Sequence, residues 1–224
     1  MESIRPFSYS LIRLFLFYLL VHISLFYAKL SPMNELSDIK TFAHKNSVPI
    51  MLEEGSDFIC NYIRTHDIKT VLEIGTAIGY STIKFAEVRP DIQITTIELD
   101  IDRHIAAKQN FSDNGLSDRI TAIYADALTY QTDQKFDLIF IDAAKAQYVK
   151  LFEKYKENLT SNGVIISDNL SFHGMVDDMT LTHNDSTKKL VRKIRRYVDF
   201  LKSNQEFHTE FFEFGDGVSM SSRI

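Results

Sequence analysis

Residues 70–81 read TVLEIGTAIGYS, and this stretch decides the fold. The run from Val71 to Ile74 predicts a short buried β-strand, and Gly75 ends it at a tight turn. Gly79 closes that turn, and a helix is predicted to follow. A strand that passes through a glycine turn into a helix is typical of α/β sheets that bind a ligand at the carboxyl ends of their strands.

From Met33 onward, strand and helix patterns alternate along the chain. Strands are also predicted at 93–99, 120–124, 136–141 and 164–167, and helices at 34–45, 50–66, 80–88, 100–114, 144–159 and 185–202. Segments 207–214 and 218–222 flank Gly215 and predict a terminal hairpin. The sequence therefore predicts an α/β fold with a mostly parallel seven-stranded sheet, a C-terminal antiparallel hairpin and helices on both faces.

Composition excludes several classes of protein. Hydrophobic residues make up 45% of the 224 residues and charged residues 25%, which excludes a disordered or collagen-like chain. The single cysteine, Cys60, excludes an internal disulfide framework and a multi-cysteine zinc site, and it favours a reduced, intracellular setting. The net charge of −5 gives no global attraction to nucleic acid, so an RNA partner would need a local basic patch.

Residues 1–32 are an apolar extension whose sequence pattern differs from that of residues 33–224. Segment 11–27 (LIRLFLFYLLVHISLFY) is slightly short of the roughly 20 residues that span a bilayer, and Arg13 interrupts it. Three interpretations stay open: a membrane anchor, an apolar helix in a dimer interface, or a start codon assigned upstream of a true start at Met33. We expect the domain at 33–224 and a cytoplasmic protein, with a membrane tether through 11–27 as the alternative.

Acidic residues close the second and third strands. Glu98 lies 23 residues after Gly75, where a carboxylate can accept hydrogen bonds from both hydroxyls of a ribose. Asp126 and Ala127 follow the third strand, where a carboxylate suits an adenine amino group or, more simply, caps a helix. The glycines are spaced G-x-x-x-G, unlike the G-x-G-x-x-G of dinucleotide binders, so these residues favour S-adenosylmethionine over NAD.

Polar residues also close the fourth and fifth strands. Asp142 follows the fourth strand, and Asp168 and Asn169 follow the fifth. If these strands are neighbours, two carboxylates and an amide oxygen converge, and such ligands suit Mg²⁺. A plain Asp-Asn turn is the simpler interpretation. Lys145 lies three residues beyond Asp142 and is a candidate general base, with a surface lysine as the alternative.

Four segments together resemble the class I, metal-dependent O-methyltransferases of the catechol and caffeoyl-CoA type. They are 71–82, 140–148 (FIDAAKAQY), 163–169 (GVIISDN) and 215–221 (GDGVSMS). Residues 48–51 (VPIM), IDAAKAQY and the GDG hairpin resemble, more narrowly, the bacterial tRNA 5-hydroxyuridine methyltransferases. The resemblance covers about 33–224 and implies a Rossmann-like class I methyltransferase fold.

The resemblance also implies roles for individual residues. It implies S-adenosylmethionine contacts at Met51, Ser81, Glu98, Asp126, Ala127 and Asp142, with Glu73 and Gly75 shaping the methionine end of the pocket. It implies that Asp142, Asp168 and Asn169 hold Mg²⁺, while Lys145 assists deprotonation or steadies the oxyanion. Family members are usually homodimers built partly from N-terminal helices.

Two acceptors are consistent with these residues. The first is the 5-hydroxyl of a wobble uridine in a tRNA anticodon loop, which would give 5-methoxyuridine, and the second is a small catechol. The run 188–196 (KKLVRKIRR) has six basic residues in nine and could neutralise phosphates, or it is a solvated helix face whose Leu190 meets the core. The loop 171–184 follows a strand end and is predicted to act as a lid.

Overall fold

Helices and strands alternate through residues 35–224, the part of the chain that this computed structural model describes. The helices are α1 (Leu36–Lys45), α2 (Glu53–Thr65), α3 (Tyr80–Glu87), α4 (Ile101–Asp113), α5 (Tyr148–Tyr155) and α6 (Asp185–Lys202). The strands are β1 (Thr70–Ile74), β2 (Gln93–Glu98), β3 (Ile120–Tyr124), β4 (Phe136–Ile141), β5 (Leu159–Ser167), β6 (Phe207–Phe212) and β7 (Val218–Arg223). Short 3₁₀ turns lie at Lys145–Gln147, Lys156–Asn158 and Met179–Leu181.

The seven strands form one sheet in the order β3-β2-β1-β4-β5-β7-β6. The first five strands in that order run parallel, whereas β7 is antiparallel to both β5 and β6. This arrangement confirms the predicted Rossmann-like sheet with its antiparallel C-terminal hairpin. The order reverses between β1 and β4, and in such sheets ligands bind outside the carboxyl ends of the two strands at the reversal.

Strand β4 is the centre of the core, and its residues 138–141 are apolar and buried. On one face, Phe140 packs edge-on against Phe85 of α3, with 5.5 Å between the ring centroids. On the other face, Ile139 joins a buried cluster that includes Phe152 of α5 and Tyr197 of α6. Helices therefore cover both faces of the sheet, which confirms that prediction.

The boundary between α5 and β5 differs from the prediction. The helix predicted at 144–159 is divided into two 3₁₀ turns around a shorter α5, and β5 begins at Leu159 rather than Val164. Gly163 lies inside the strand, near an irregularity in the β4–β5 pairing. A Cβ on Gly163 would come within 2.9 Å of the Phe136 carbonyl oxygen. From the sequence, Asn162 and Gly163 are predicted to stop the helix at 144–159. In the structure, Gly163 instead permits close strand pairing.

None of the helices within 35–224 is long and apolar enough to cross a membrane. The predicted apolar segment 11–27 lies outside the described residues, and the three interpretations of it stay predictions.

The turn after β1 depends on Gly75. The Asp142 amide donates to the Ile74 carbonyl at 3.0 Å, which brings the ends of β1 and β4 together. A Cβ on Gly75 would lie 2.1 Å from the Asp142 carbonyl oxygen, and the φ of +105° is unfavourable for any other residue. No side chain fits between the two strand ends.

We predict that Gly75→Ala lowers the free energy of unfolding by more than about 3 kcal/mol, since it combines backbone strain with a backbone clash. Gly115→Ala is the matched control, because Gly115 also has a positive φ of +67° but faces open space. Gly115→Ala should lower the free energy of unfolding by about 1 to 2 kcal/mol. Urea unfolding followed by circular dichroism measures both, and equal losses would contradict the steric argument.

Candidate active site

A cavity of about 1070 Å³ opens at the carboxyl ends of the central strands. Its volume lies at the upper end of the range for small-molecule and cofactor sites. The predicted site residues on its wall are Gly75, Glu98, Asp126, Ala127, Asp142, Lys145 and Asn169. The fold therefore gathers most of the predicted residues around one space.

Glu98 is held in place by backbone amides. Its Oε2 accepts from the Ala77 amide at 2.8 Å, and its Oε1 accepts from the amides of Leu99 and Asp100 at 3.0 and 2.9 Å. These three bonds fix the carboxylate at the end of β2, on the cavity wall. A carboxylate has about four acceptor positions, so this one can still accept from a hydroxyl of a ligand.

Asp126 caps the turn after β3. Its Oδ1 accepts from the Leu128 amide at 2.8 Å, while the residue as a whole is exposed on the cavity wall. No helix lies in the described segment between β3 and β4, so this contact stabilises a turn and is not the helix cap that the sequence offered as an alternative. The neighbouring Ala127 carbonyl accepts from Lys154 Nζ and from the Tyr155 hydroxyl, each at 2.7 Å, which ties the turn to α5.

Glu73 and Ser81 lie behind the cavity wall and bind each other. Ser81 Oγ and Thr96 Oγ1 each donate to the Glu73 carboxylate at 2.6 Å, and Thr82 Oγ1 donates as well. Burial raises the pKa of Glu73 to about 7, although the three hydroxyls oppose the shift. Met51 is also buried, while its neighbours Ile50 and Leu52 line the cavity. The predicted cofactor contacts of Met51, Glu73 and Ser81 stay predictions.

Lys145 is the centre of a polar cluster and is not a surface lysine, since only 13% of its side chain is exposed. Its Nζ donates to Asp142 Oδ1 at 3.1 Å and to the Tyr148 hydroxyl at 2.7 Å. It also donates to Asn169 Oδ1. Two of the predicted metal-ligand oxygens therefore converge on one positive charge.

Asp168 lies beneath this cluster and is only 2% exposed. Its Oδ2 accepts from Asn169 Nδ2 at 3.0 Å. Burial, together with the nearby Asp142 carboxylate, raises the pKa of Asp168 to about 7. Asn169 adopts a left-handed backbone conformation with φ of 61°, which asparagine tolerates better than most residues. The fold therefore brings Asp142, Asp168 and Asn169 together, as the sequence predicted.

Asp216 is a site residue that the sequence reasoning missed. It is buried in the hairpin turn and lines the cavity, and its carboxylate accepts from the His173 amide. Its carbonyl accepts from the Ser171 amide at 2.8 Å. The only available signal was the GDG motif, whose spacing predicts a turn but not what the turn contacts.

The loop 171–184 lines the cavity at its start and is hydrogen-bonded to α6 further along. At its start, Phe172 and His173 line the cavity in left-handed conformations, with φ of 47° and 58°. Further on, Arg195 Nε of α6 donates to the Val176 carbonyl at 2.6 Å. The sequence predicted Arg195 on the solvated face of α6, but its side chain holds the loop. The other predicted cations that are exposed are Lys189, Arg192, Lys193 and Arg196. The lid function stays a prediction.

Leu190 and Lys193 extend the cavity wall from α6. The prediction that Leu190 meets the core is correct, since it packs against the buried cluster, but it also faces the cavity. Helix α6 therefore contributes one apolar and one cationic side chain to the cavity wall.

Within 35–224, no three His, Cys, Asp or Glu side chains lie close enough together to hold a metal ion. The predicted set differs in kind, because it consists of two carboxylates and the Asn169 amide. Its chemistry fits a hard cation, and the Lys145 ammonium already occupies the point where Asp142 and Asn169 converge.

Comparisons with known proteins agree with this geometry. The sequence pattern of a family described as O-methyltransferase matches residues 28–224. The chain belongs to the O-methyltransferase family. A Staphylococcus aureus structure, provisionally assigned as a caffeoyl-CoA O-methyltransferase, is 35% identical with a TM-score of 0.81, covering 91% of this chain and 98% of that one.

Two further relatives of the family extend the comparison. A catechol O-methyltransferase of Niastella koreensis is 32% identical over 143 residues, which is 61% of this chain and 62% of the relative. A Bacillus cereus O-methyltransferase solved in complex with SAH has a TM-score of 0.72 at 24% identity and covers 84% of this chain and 90% of that one. The family match confirms the prediction of an O-methyltransferase.

We predict that Glu73→Gln removes a pH dependence of this O-methyltransferase's stability. The folded wild type keeps the Glu73 proton up to a pKa of about 7, whereas the unfolded chain releases it near the ordinary pKa of 4.5. Folding is therefore favoured at low pH, and this contribution is lost as the pH rises through that window. Relative to the variant, the wild type should lose about 2 to 3 kcal/mol between pH 5 and pH 8.

Urea unfolding at both pH values measures this difference. Glu210→Gln on the exposed side of β6 is the control and should leave the wild-type profile unchanged. If the free energy of unfolding changes equally with pH in the wild type and in Glu73→Gln, the raised pKa assigned to Glu73 is wrong.

Proposed function

We propose that the protein transfers the methyl group of S-adenosylmethionine to one hydroxyl of a small catechol-type acceptor. The observation that carries this proposal is the convergence of Asp142 Oδ1 and Asn169 Oδ1 on Lys145 Nζ, above the buried Asp168. The relatives named for catechol and for caffeoyl-CoA support an acceptor with adjacent hydroxyls.

The methyl donor is proposed to occupy the cavity from β1 to β3. Gly75 lines the cavity beside the strand ends, and Glu98 offers carboxylate oxygens already oriented by three amides. The turn at Asp126 and Ala127 forms the far end of the space. A nucleoside bound along this wall directs its other end towards Asp142.

The acceptor is proposed to occupy the other end, near Lys145, Asn169 and Phe172. Asp142, Asp168 and Asn169 would hold Mg²⁺, which when bound acts as a Lewis acid and lowers the pKa of an acceptor hydroxyl. In the reaction, the sulfur–methyl bond breaks as the oxygen–methyl bond forms, and the hydroxyl proton leaves. Lys145 Nζ lies at this centre, where it can take that proton or, when charged, stabilise the oxyanion.

The apolar walls favour an aromatic acceptor. Phe172 and Leu190 face the cavity from the loop and from α6. Their side chains can exclude water from the face of an aromatic ring while its hydroxyls reach the polar cluster. Excluding water strengthens the electrostatic interactions at the reacting oxygen.

Methylation of 5-hydroxyuridine in the tRNA anticodon loop is the second candidate. It is favoured by the exposed cations of α6, of which Lys193 also lines the cavity. Such cations can contact the phosphates of a polynucleotide. Arg195, however, is engaged with the loop at Val176 and contributes less than the sequence suggests.

The homodimer also stays a proposal. Phe58 of α2 stacks on Phe214, with 4.9 Å between ring centroids, and Phe214 is 44% exposed. Leu52 is 48% exposed at the start of the same helix. An apolar surface of this kind supports self-association.

An acceptor panel tests the proposed function. We expect the purified full chain with S-adenosylmethionine and Mg²⁺ to methylate catechol or caffeoyl-CoA, with the product identified by mass spectrometry. Turnover of tRNA bearing 5-hydroxyuridine, falling steeply as salt rises, would instead establish the second candidate, because phosphate contacts are salt-dependent. Methylation of none of the three acceptors would contradict both.

We predict that Asp168→Asn lowers kcat/KM by about 100-fold or more, since it removes one anionic ligand from the proposed metal set. Binding of S-adenosylhomocysteine, measured by calorimetry, should remain, because Asp168 does not line the cavity. Asp133→Asn on an exposed loop is the control. Full activity of Asp168→Asn without added metal would show that the metal assignment is wrong.

A further inference from the structure

Lys193 is a cation on the cavity wall that forms no ion pair within the described residues. Helix α6 is described in full, and of its basic side chains only Lys193 lines the cavity. Lys145, also on the wall, is by contrast paired with Asp142. Arg103 lines the cavity as well, but it belongs to α4, which begins just after β2 and Glu98. An unpaired ammonium on a cavity wall attracts an anionic group of a ligand.

The contacts of α6 show where this helix meets the sheet. Four residues after Lys193, the Tyr197 hydroxyl lies 2.7 Å from Ser167 Oγ, at the residue that ends β5. Tyr197 also packs edge-on against Tyr148, whose hydroxyl accepts from Lys145 Nζ, with 5.1 Å between the two ring centroids. The middle of α6 therefore lies beside the polar cluster at the end of the cavity proposed for the acceptor.

The direction of α6 shows on which side of this contact Lys193 lies. Strand β7 is antiparallel to both β5 and β6, so α6 connects two strands of the same direction and must run back against them. Residues before Tyr197 are therefore displaced beyond the carboxyl ends of the strands, where the cavity opens. At 1.5 Å per residue, Lys193 lies about 6 Å before Tyr197 along the helix axis. Lys193 is thus placed outside the polar cluster, towards the mouth of the cavity.

The apolar side chains near Lys193 suit a ring that carries the anion. Leu190 lies three residues before Lys193 on the same face of α6, and both line the cavity. Arg195 Nε donates to the Val176 carbonyl at 2.6 Å, which holds the loop that begins with Phe172 against the same helix. The methylenes of a lysine can lie along apolar surface while its ammonium meets a charged group. A ring between Phe172 and Leu190 can therefore direct a charged substituent to Lys193.

The carboxylates at this end of the cavity have other partners. Asp142 Oδ1 lies 3.1 Å from Lys145 Nζ. The Asp216 carboxylate accepts from the His173 amide, and its Oδ1 lies 3.6 Å from His173 Nδ1. The charge that remains to be matched is therefore the positive charge of Lys193. A lysine ammonium is a compact point charge, so one carboxylate is a sufficient partner for it.

We propose that Lys193 forms an anion subsite in the cavity, and that the acceptor is an aromatic diol bearing a carboxylate on the side of the ring away from its hydroxyls. The inference rests on the proposed function, because it requires the reacting hydroxyls to lie near Lys145. Lys193 selects the acceptor by its charge and takes no part in binding the methyl donor.

Two acceptors that differ in charge test the proposal. They are dihydrocaffeate and its uncharged amide, in which two methylenes separate the ring from the varied group, so the acidity of the hydroxyls is nearly the same. With S-adenosylmethionine and Mg²⁺, the wild type should have a kcat/KM about fivefold higher for the acid, as expected for an ion pair at a partly exposed site. The preference should arise in KM and should shrink as the salt concentration rises.

Variants at Lys193 separate its charge from its packing. Lys193→Met keeps the apolar stem and removes the charge, so the variant should methylate the amide as the wild type does and should no longer prefer the acid. Lys193→Arg restores a cation and should keep the preference. Lys108→Met removes the same charge from an exposed position of α4 outside the cavity and is the matched control, which should behave like the wild type. Calorimetric binding of S-adenosylhomocysteine should be equal in all of these proteins.

Three results would overturn the inference. One is a wild type that methylates the acid and the amide with equal kcat/KM, and another is a Lys193→Met variant that keeps the wild-type preference. The third is a Lys193→Met variant with weakened binding of S-adenosylhomocysteine, which would place Lys193 at the methyl donor. A wild type that methylates neither acceptor would instead refute the proposed function, so the two failures are distinguishable.

Discussion

The backbone hydrogen bond between the ends of β1 and β4 is the constraint on which the site depends. It holds the Asp142 amide 3.0 Å from the Ile74 carbonyl, with Gly75 leaving no side chain in between. On one side of this contact, β2 and β3 supply Glu98 and the turn after β3. On the other side, β5 supplies Asp168 and Asn169, and the terminal hairpin supplies the carboxylate of Asp216. A change at the contact would therefore displace both ends of the cavity at once.

The two ends of the cavity are built on different physical principles. At the end proposed for the nucleoside, backbone amides orient the Glu98 carboxylate, so its position is set by the fold. At the reacting end, the Asp142 and Asp168 carboxyls gather around Lys145, and the adjoining loop contains the left-handed Phe172 and His173. Buried carboxyls and strained backbone are locally costly, and the apolar packing around β4 offsets that cost.

The sequence predicted what depends on periodicity and on strand ends. Alternating elements predicted the mostly parallel sheet. Asp142 and Asn169 meet because β4 and β5 are neighbours and parallel strands end at one edge. Periodicity reports which face a residue occupies but not its partner. For that reason the sequence did not show that Ser81 turns inward to Glu73, that Arg195 holds the loop, or that Asp216 lies beside it. The prediction for Gly163 was wrong for a related reason. The sequence alone does not distinguish a glycine that allows a neighbouring strand to approach closely from one that ends a helix.

Lys145 has a consequence for how three segments of the chain are held together. Its ammonium lies within hydrogen-bond distance of Asp142 after β4, of Asn169 after β5 and of Tyr148 at the start of α5. One side chain therefore joins three segments that are far apart in the sequence. Its removal would loosen their mutual placement and leave the Asp142 carboxylate without its cationic partner.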